Sequence, residues 1–252
     1  MLELHAFNRV CVGLLAGLVT ACGPGDSDVV RRGGPEGSED RPESGAAPAA
    51  SEDDGRPVVL FLGTSLTAGF GLQEPADAYP ALIQGRIDRA GLSFRVVNAG
   101  VSGDTSAGGA RRLDWLLDHD VAVLVVELGA NDGLRGLDID ALAANLQTVV
   151  DVTRARHPNA VVVVAGMEAP TNLGSGYTTA FREVFPAVAD ANDATLIPFL
   201  LEGVAGVPSM NQADRIHPTA EGHRHVADNV WAVLAPILAV WSEDASGPGG
   251  GP

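Results

Sequence analysis

The chain has 252 residues, 46% hydrophobic and 19% charged, with 32 acidic against 16 basic side chains and a formal net charge of −16. This suits one compact α/β domain with polar ends, and it argues against a nucleic-acid partner because no basic stripe exists to neutralise phosphates. All 16 cations are arginine, which removes lysine Schiff bases, Ser-Lys dyads and the P-loop lysine from consideration.

The two cysteines, Cys11 and Cys22, both lie in the first 22 residues. The remainder can form neither an internal disulfide nor a Cys-ligated metal site, so a hydrophobic core must stabilise it. Residues 1–22 begin with a short polar stretch ending in Arg9, then an apolar run from Val10 to Val19. Such a run is too short for a membrane span but suits a secretory signal. The stretch Val19-Thr20-Ala21-Cys22 resembles a bacterial lipobox, with Cys22 as the acylated residue. An ordinary signal peptide with a chance cysteine is the plainer alternative. Residues 23–56 carry nine acidic residues against four arginines and almost nothing apolar, so they read as a disordered acidic tether. A Gly/Pro-rich tail over 242–252 reads the same way.

Between them, residues 57–241 alternate apolar runs with helical spacings. Strand-like runs are Pro57–Leu62, Phe94–Asn98, Val121–Leu128, Ala160–Ala165 and Thr195–Phe199. Helical spacing marks Leu113/Leu116/Leu117, Leu142/Leu146/Val149/Val150 and Phe181/Val184/Phe185/Val188, and a last helix runs from about Thr219 to Trp241. Repeated strand–helix alternation predicts a parallel sheet covered by helices, with any site in the loops at the carboxyl ends of the strands.

Four such loops carry reactive chemistry. Gly63-Thr64-Ser65-Leu66-Thr67 follows the first strand and presents a serine hydroxyl at a helix start, although Ser65 or Thr67 serves equally well as a helix cap. Asn98–Thr105 follows the second, where the Gly100 N–H can donate to an oxyanion or simply belong to a loop. Gly129-Ala130-Asn131-Asp132 follows the third, and the Asn131 amide is an oxyanion donor or a turn residue. Asp214-Arg215-Ile216-His217-Pro218 precedes the last helix, and a carboxylate three residues before an imidazole can fix its tautomer. His223 and His225 are rival bases inside that helix, read as packing or solvent-facing residues.

In order and content these blocks resemble the SGNH (GDSL) hydrolase family, most closely its TesA-like branch of thioesterases, lysophospholipases and arylesterases. Met167-Glu168-Ala169-Pro170 and Tyr177 resemble that branch's substrate-side loop. One departure is Thr64, where the family usually carries Asp. The resemblance implies a single three-layer α/β/α domain with a five-stranded parallel sheet, of flavodoxin-like type. It implies hydrolysis of carboxylic esters or thioesters with no cofactor and no metal, by a monomer acting on small-molecule acyl substrates. Ser65 would be the nucleophile, His217 its base and Asp214 the orienting acid, with Ser65, Gly100 and Asn131 donating to the oxyanion. Carbohydrate acetylesterase activity, a flavin or phosphate binder on a similar sheet, and a non-catalytic binding lipoprotein are the alternatives. The lipobox implies export and anchoring at a membrane of the cell envelope.

Overall fold

The structure, a computed structural model, describes residues 54–246. Its elements are β1 (Val58–Gly63), α1 (Ser65–Ala68), α2 (Tyr79–Arg89), β2 (Arg95–Gly100), α3 (Ser106–Leu116), β3 (Val121–Glu127), α4 (Ala130–Leu134), α5 (Ile139–Arg156), β4 (Val161–Ala165), α6 (Ser175–Ala191), β5 (Thr195–Ile197) and α7 (Ala220–Ser246). The five strands form one parallel sheet in the order β2-β1-β3-β4-β5. Helices α2 and α7 pack on each other, α5 packs on both α3 and α6, and the two groups flank the sheet. This is the three-layer fold expected.

Every residue of β1 and β3 is buried, which is why both read as unbroken apolar runs rather than alternating ones. The strand order reverses between β1 and β3, so their carboxyl ends open a crevice at the centre of the sheet. Helix starts are defined by chemistry legible in the chain: Thr105 caps α3 by accepting from the Gly108 N–H, and Asp138 caps α5 by accepting from Ala141 N–H at 2.8 Å. β5 stops at Ile197 rather than Phe199, because Pro198 has no N–H to continue the ladder. Helix α2 carries no clear periodic signal, since Gln84-Gly85-Arg86 interrupts it, yet Tyr79, Ile83 and Ile87 are buried in the core.

The ends differ from expectation. The tail predicted to be disordered from 242 is helical as far as Ser246. Trp241 packs its ring on Phe94 with centroids 5.2 Å apart, Ser242 Oγ donates to the Leu238 carbonyl, and no breaker intervenes before Gly247-Pro248. At the other end Arg56 donates to the Phe94 carbonyl and pairs with Asp54 at 2.7 Å, so ordered structure begins before Pro57. The signal sequence over 1–22, Cys22 and the linker up to residue 53 lie outside the described residues.

His223 on α7 is buried, not solvent-facing. Its Nδ1 accepts from the Tyr79 N–H at 3.3 Å and its ring stacks on Tyr79. Burial holds its pKa down at about 4, against a weaker upward pull from Asp77. Between about pH 4 and 6.5 the unfolded chain binds a proton here and the folded chain does not. Stability therefore rises with pH across that window, by up to roughly 3 kcal/mol. The Glu127 carboxyl, pushed up by burial, works in the opposite direction, so the test is the Tm difference between wild type and a His223 variant, which should widen from pH 4.5 to 7. His223→Gln, which keeps an acceptor for Tyr79, should melt lower at pH 7 and closer to wild type at pH 4.5; parallel curves would contradict this account.

Candidate active site

β1 turns directly into α1, so Ser65 occupies the first position of a helix whose leading N–H groups lack intrahelical acceptors. The turn is held by Glu127, the last residue of β3 and the register partner of Gly63. Its fully buried carboxylate accepts from Thr64 N–H at 2.8 Å, Thr64 Oγ1 at 2.9 Å, Thr67 N–H at 3.2 Å and Thr67 Oγ1 at 2.8 Å. Thr67 Oγ1 also lies 2.7 Å from the Tyr79 hydroxyl. Thr67 has one hydroxyl proton, which goes to Glu127, so Tyr79 donates to Thr67. Burial pushes the Glu127 carboxyl up, and its contacts with Thr64 and Thr67 oppose that shift. Burial, and then the Glu127 charge, push the Tyr79 phenol well above its usual value. This explains Thr64: its hydroxyl donates to Glu127, whereas an aspartate would bring a second carboxyl there and require a shared proton.

The loop before α7 supplies the other half of the site. His217 Nε2 lies 2.9 Å from Ser65 Oγ, and its Nδ1 lies 2.7 Å from Asp214 Oδ2. Asp214 Oδ1 accepts from the Ile216 and His217 N–H groups at 2.9 and 3.1 Å. The hydrogen bond from His217 leads these in lowering the Asp214 pKa to about 2. The carboxylate thus stays charged at neutral pH and selects the tautomer that carries a proton on Nδ1 and accepts at Nε2. Gln212 straps this loop to the segment that follows α1, donating to the Phe70 carbonyl at 2.7 Å and the Pro218 carbonyl at 2.9 Å. The Phe70 ring lies against His217 with centroids 4.6 Å apart. His223 is buried in the core, and His217 is the histidine hydrogen-bonded to Ser65.

Asn131 enters the site because Gly129, at φ +106°, turns the chain off β3 into α4. A side chain at that φ would be strained, and its Cβ would crowd Leu142 and Phe185. Asn131 Nδ2 donates to the Asp104 carbonyl at 2.8 Å, which anchors the amide through one N–H and leaves the other for the cleft. The neighbouring Asp132 points inward, where its carboxylate accepts from Ser106 N–H at 2.8 Å and Ser106 Oγ at 2.6 Å. It braces the α4 turn against α3.

Gly100 is placed differently from expectation. Its N–H donates to Asn98 Oδ1 at 2.9 Å, and a Cβ there would lie 2.2 Å from the Ala68 nitrogen. Gly100 is a close-packing residue that lets β2 approach α1. Three residues on, Gly103 reaches the cleft, and its N–H has no acceptor among the described residues. Tyr177 also differs: its hydroxyl donates to the Leu137 carbonyl at 2.8 Å and its ring stacks on Phe181, outside the cleft lining. Met167, Glu168, Ala169 and Pro170 do line the cleft, which has a volume of about 600 Å³. Phe70, Ser102, Leu134, Leu201, Arg215 and Ile216 also line it, and their place in the site does not follow from the sequence reading. Three of them, Phe70, Leu134 and Ile216, are exposed hydrophobics, a property that single-residue patterning does not reveal.

Residues 61–225 match the GDSL-like Lipase/Acylhydrolase family. The chain is 44% identical over 182 residues to the esterase TesA of Pseudomonas aeruginosa, covering 72% of this chain and 89% of that protein. It is 36% identical to thioesterase 1/protease 1/lysophospholipase L1 of Escherichia coli, covering 72% and 85%, and 35% identical to an arylesterase of Vibrio mimicus, covering 73% and 89%. The crystal structure of TesA superposes with a TM-score of 0.68 at 43% identity, over 71% of this chain and 99% of that one. With Ser65, His217 and Asp214 joined by hydrogen bonds at the carboxyl edge of the sheet, the chain belongs to the GDSL-like lipase/acylhydrolase family and is a carboxylic ester hydrolase.

Proposed function

We propose that the chain cleaves esters or thioesters of acyl chains through an acyl-enzyme on Ser65, acting as a monomer. The observation that carries this reading is the 2.9 Å approach of His217 Nε2 to Ser65 Oγ in the lining of a largely apolar cleft. Ser65 Oγ bonds to the acyl carbon as its proton passes to His217 Nε2. The imidazolium, stabilised by Asp214, then protonates the leaving oxygen or sulfur as its bond to the acyl carbon breaks. Water attacks the acyl-enzyme, gives its proton to His217, and that proton returns to Ser65 as the acid departs. The Ser65 and Gly103 N–H groups and the Asn131 amide are the proposed oxyanion donors, in place of Gly100. Met167, Ala169, Pro170 and Leu134 offer an acyl chain an apolar wall, which favours acyl substrates over acetylated sugars.

Steady-state kinetics on a panel of p-nitrophenyl esters of graded length, acyl-CoAs, lysophospholipids and acetylated sugars tests the substrate class. Longer acyl esters should outperform acetylated sugars, and the reverse order would move the assignment to a carbohydrate acetylesterase. On the best ester, Asn131→Ala should lower kcat by about 10²–10³ with KM within a few-fold and the circular dichroism unchanged. Near-wild-type kcat in the folded variant would remove Asn131 from the oxyanion site.

We further propose that the chain is exported and anchored in the cell envelope through a lipid on Cys22. The order of an apolar run, small residues and a cysteine in Val10–Cys22 supports this, and the acidic stretch over 23–53 would then act as tether. Cys22→Ser should abolish lipidation and detergent partitioning in cells expressing the full chain. Identical mass and partitioning for both proteins would refute the anchor.

A further inference from the structure

The turn that carries the base holds a residue out of its ordinary conformation. Arg215 lies between Asp214 and His217 at φ +62°, one of two non-glycine residues in the left-handed region among those described. The turn needs that conformation: Arg215 N–H donates to the Gln212 carbonyl at 2.9 Å, and the chain then folds so that Asp214 accepts from both following N–H groups. Glycine meets this requirement without a steric penalty, and arginine does not. What arginine adds is its side chain, which is exposed and lines the cleft.

The rest of the cleft gives that guanidinium little competition. Among the charged lining residues, Glu168 is paired with Arg182 at 3.1 Å, and His217 is engaged by Ser65 and Asp214. The Arg215 guanidinium has no hydrogen-bond or ion-pair partner among the described residues. It presents a planar fork of donors suited to phosphate or carboxylate oxygens. In a chain of net charge −16, whose overall field repels anions, such a group matters most where an anion must be admitted.

We propose that Arg215 is a specificity-determining residue that recognises an anionic group, phosphate or carboxylate, on the leaving alcohol or thiol. The inference rests on the ester-hydrolase reading above. The leaving atom must face His217, which protonates it, and Arg215 belongs to the same short turn. The apolar wall for the acyl chain comes from other segments, the loop after β4 and helix α4.

The test uses matched, monomeric short-chain substrates. One pair is a 1-acylglycerol and its 3-phosphate, and the other is a 4-nitrophenyl ester and its 3-carboxy-4-nitrophenyl analogue. The readout is the ratio of kcat/KM for the anionic over the neutral ester in wild type, Arg215→Gly, Arg215→Gln and Arg215→Lys. Glycine accepts the left-handed backbone, so loss of the turn does not confound that variant. The ratio should fall about ten-fold in the Gly and Gln variants, mainly through KM, with Lys intermediate. Added salt should lower the wild-type ratio. An effect confined to one pair identifies that anion as the ligand. Equal losses on neutral and anionic esters, leaving both ratios within two-fold, would show a merely structural arginine and overturn the proposal. Titration of Ser65→Ala with the same esters, with and without Arg215→Gly, reads binding without turnover. A ten-fold difference in Kd there, with no hydrolysis by wild type, would defeat the ester-hydrolase reading and leave the anion site standing; no difference would defeat the anion site.

Discussion

The hydrogen bond between His217 Nε2 and Ser65 Oγ joins residues 152 positions apart, and most of the architecture bears on holding it. Ser65 is set by the end of the central strand β1, and His217 by the turn that opens α7. α7 in turn packs on α2, the helix that follows the Ser65 turn, so both partners are referred to the same face of the domain. Gln212 closes the remaining gap with side-chain bonds to Phe70 and Pro218. A contact that must hold to a few tenths of an ångström is therefore built from a buried strand, a long helix and a strap between them.

The turn that carries Ser65 depends on a buried carboxylate. Glu127 loses its hydration and receives in exchange two N–H and two hydroxyl donors from Thr64 and Thr67. A buried acceptor of this kind is costly when partly satisfied and rigidifying when fully satisfied. Here the donors flank Ser65 on both sides, so the same bonds that satisfy the carboxylate fix the serine. On the other wall, Asp132 and Asn131 divide the labour between neighbours: the acid braces the turn inward and the amide turns outward.

Much of this was legible in the chain. The fully buried strands β1 and β3 announce themselves as unbroken apolar runs, and the Asp214/His217 spacing anticipates the observed 2.7 Å contact. Other features depend on which way a backbone N–H points, which spacing does not encode. The sequence reading chose Gly100 as a donor, and only the fold shows that Gly100 is taken up by Asn98 and its close approach to Ala68 while Gly103 reaches the cleft. Tyr177 carries an aromatic ring and a hydroxyl suited to a substrate loop, yet the α6 helix directs both to Leu137 and Phe181. Thr64 looked like a defect in the motif because its partner, Glu127, is far away in sequence. The helical extension to Ser246 is hidden in sequence by acidic and small residues that read as linker but are compatible with a last helical turn.

The central claim is that this geometry makes Ser65 a nucleophile. It is tested most directly by treating the folded protein with a fluorophosphonate probe and locating the adduct by peptide mass spectrometry. The account predicts one adduct, on Ser65, formed rapidly in wild type and at least about a hundred-fold more slowly in His217→Ala, because the hydroxyl then has no base. Labelling of a different serine, or equal rates in the two proteins, would contradict it.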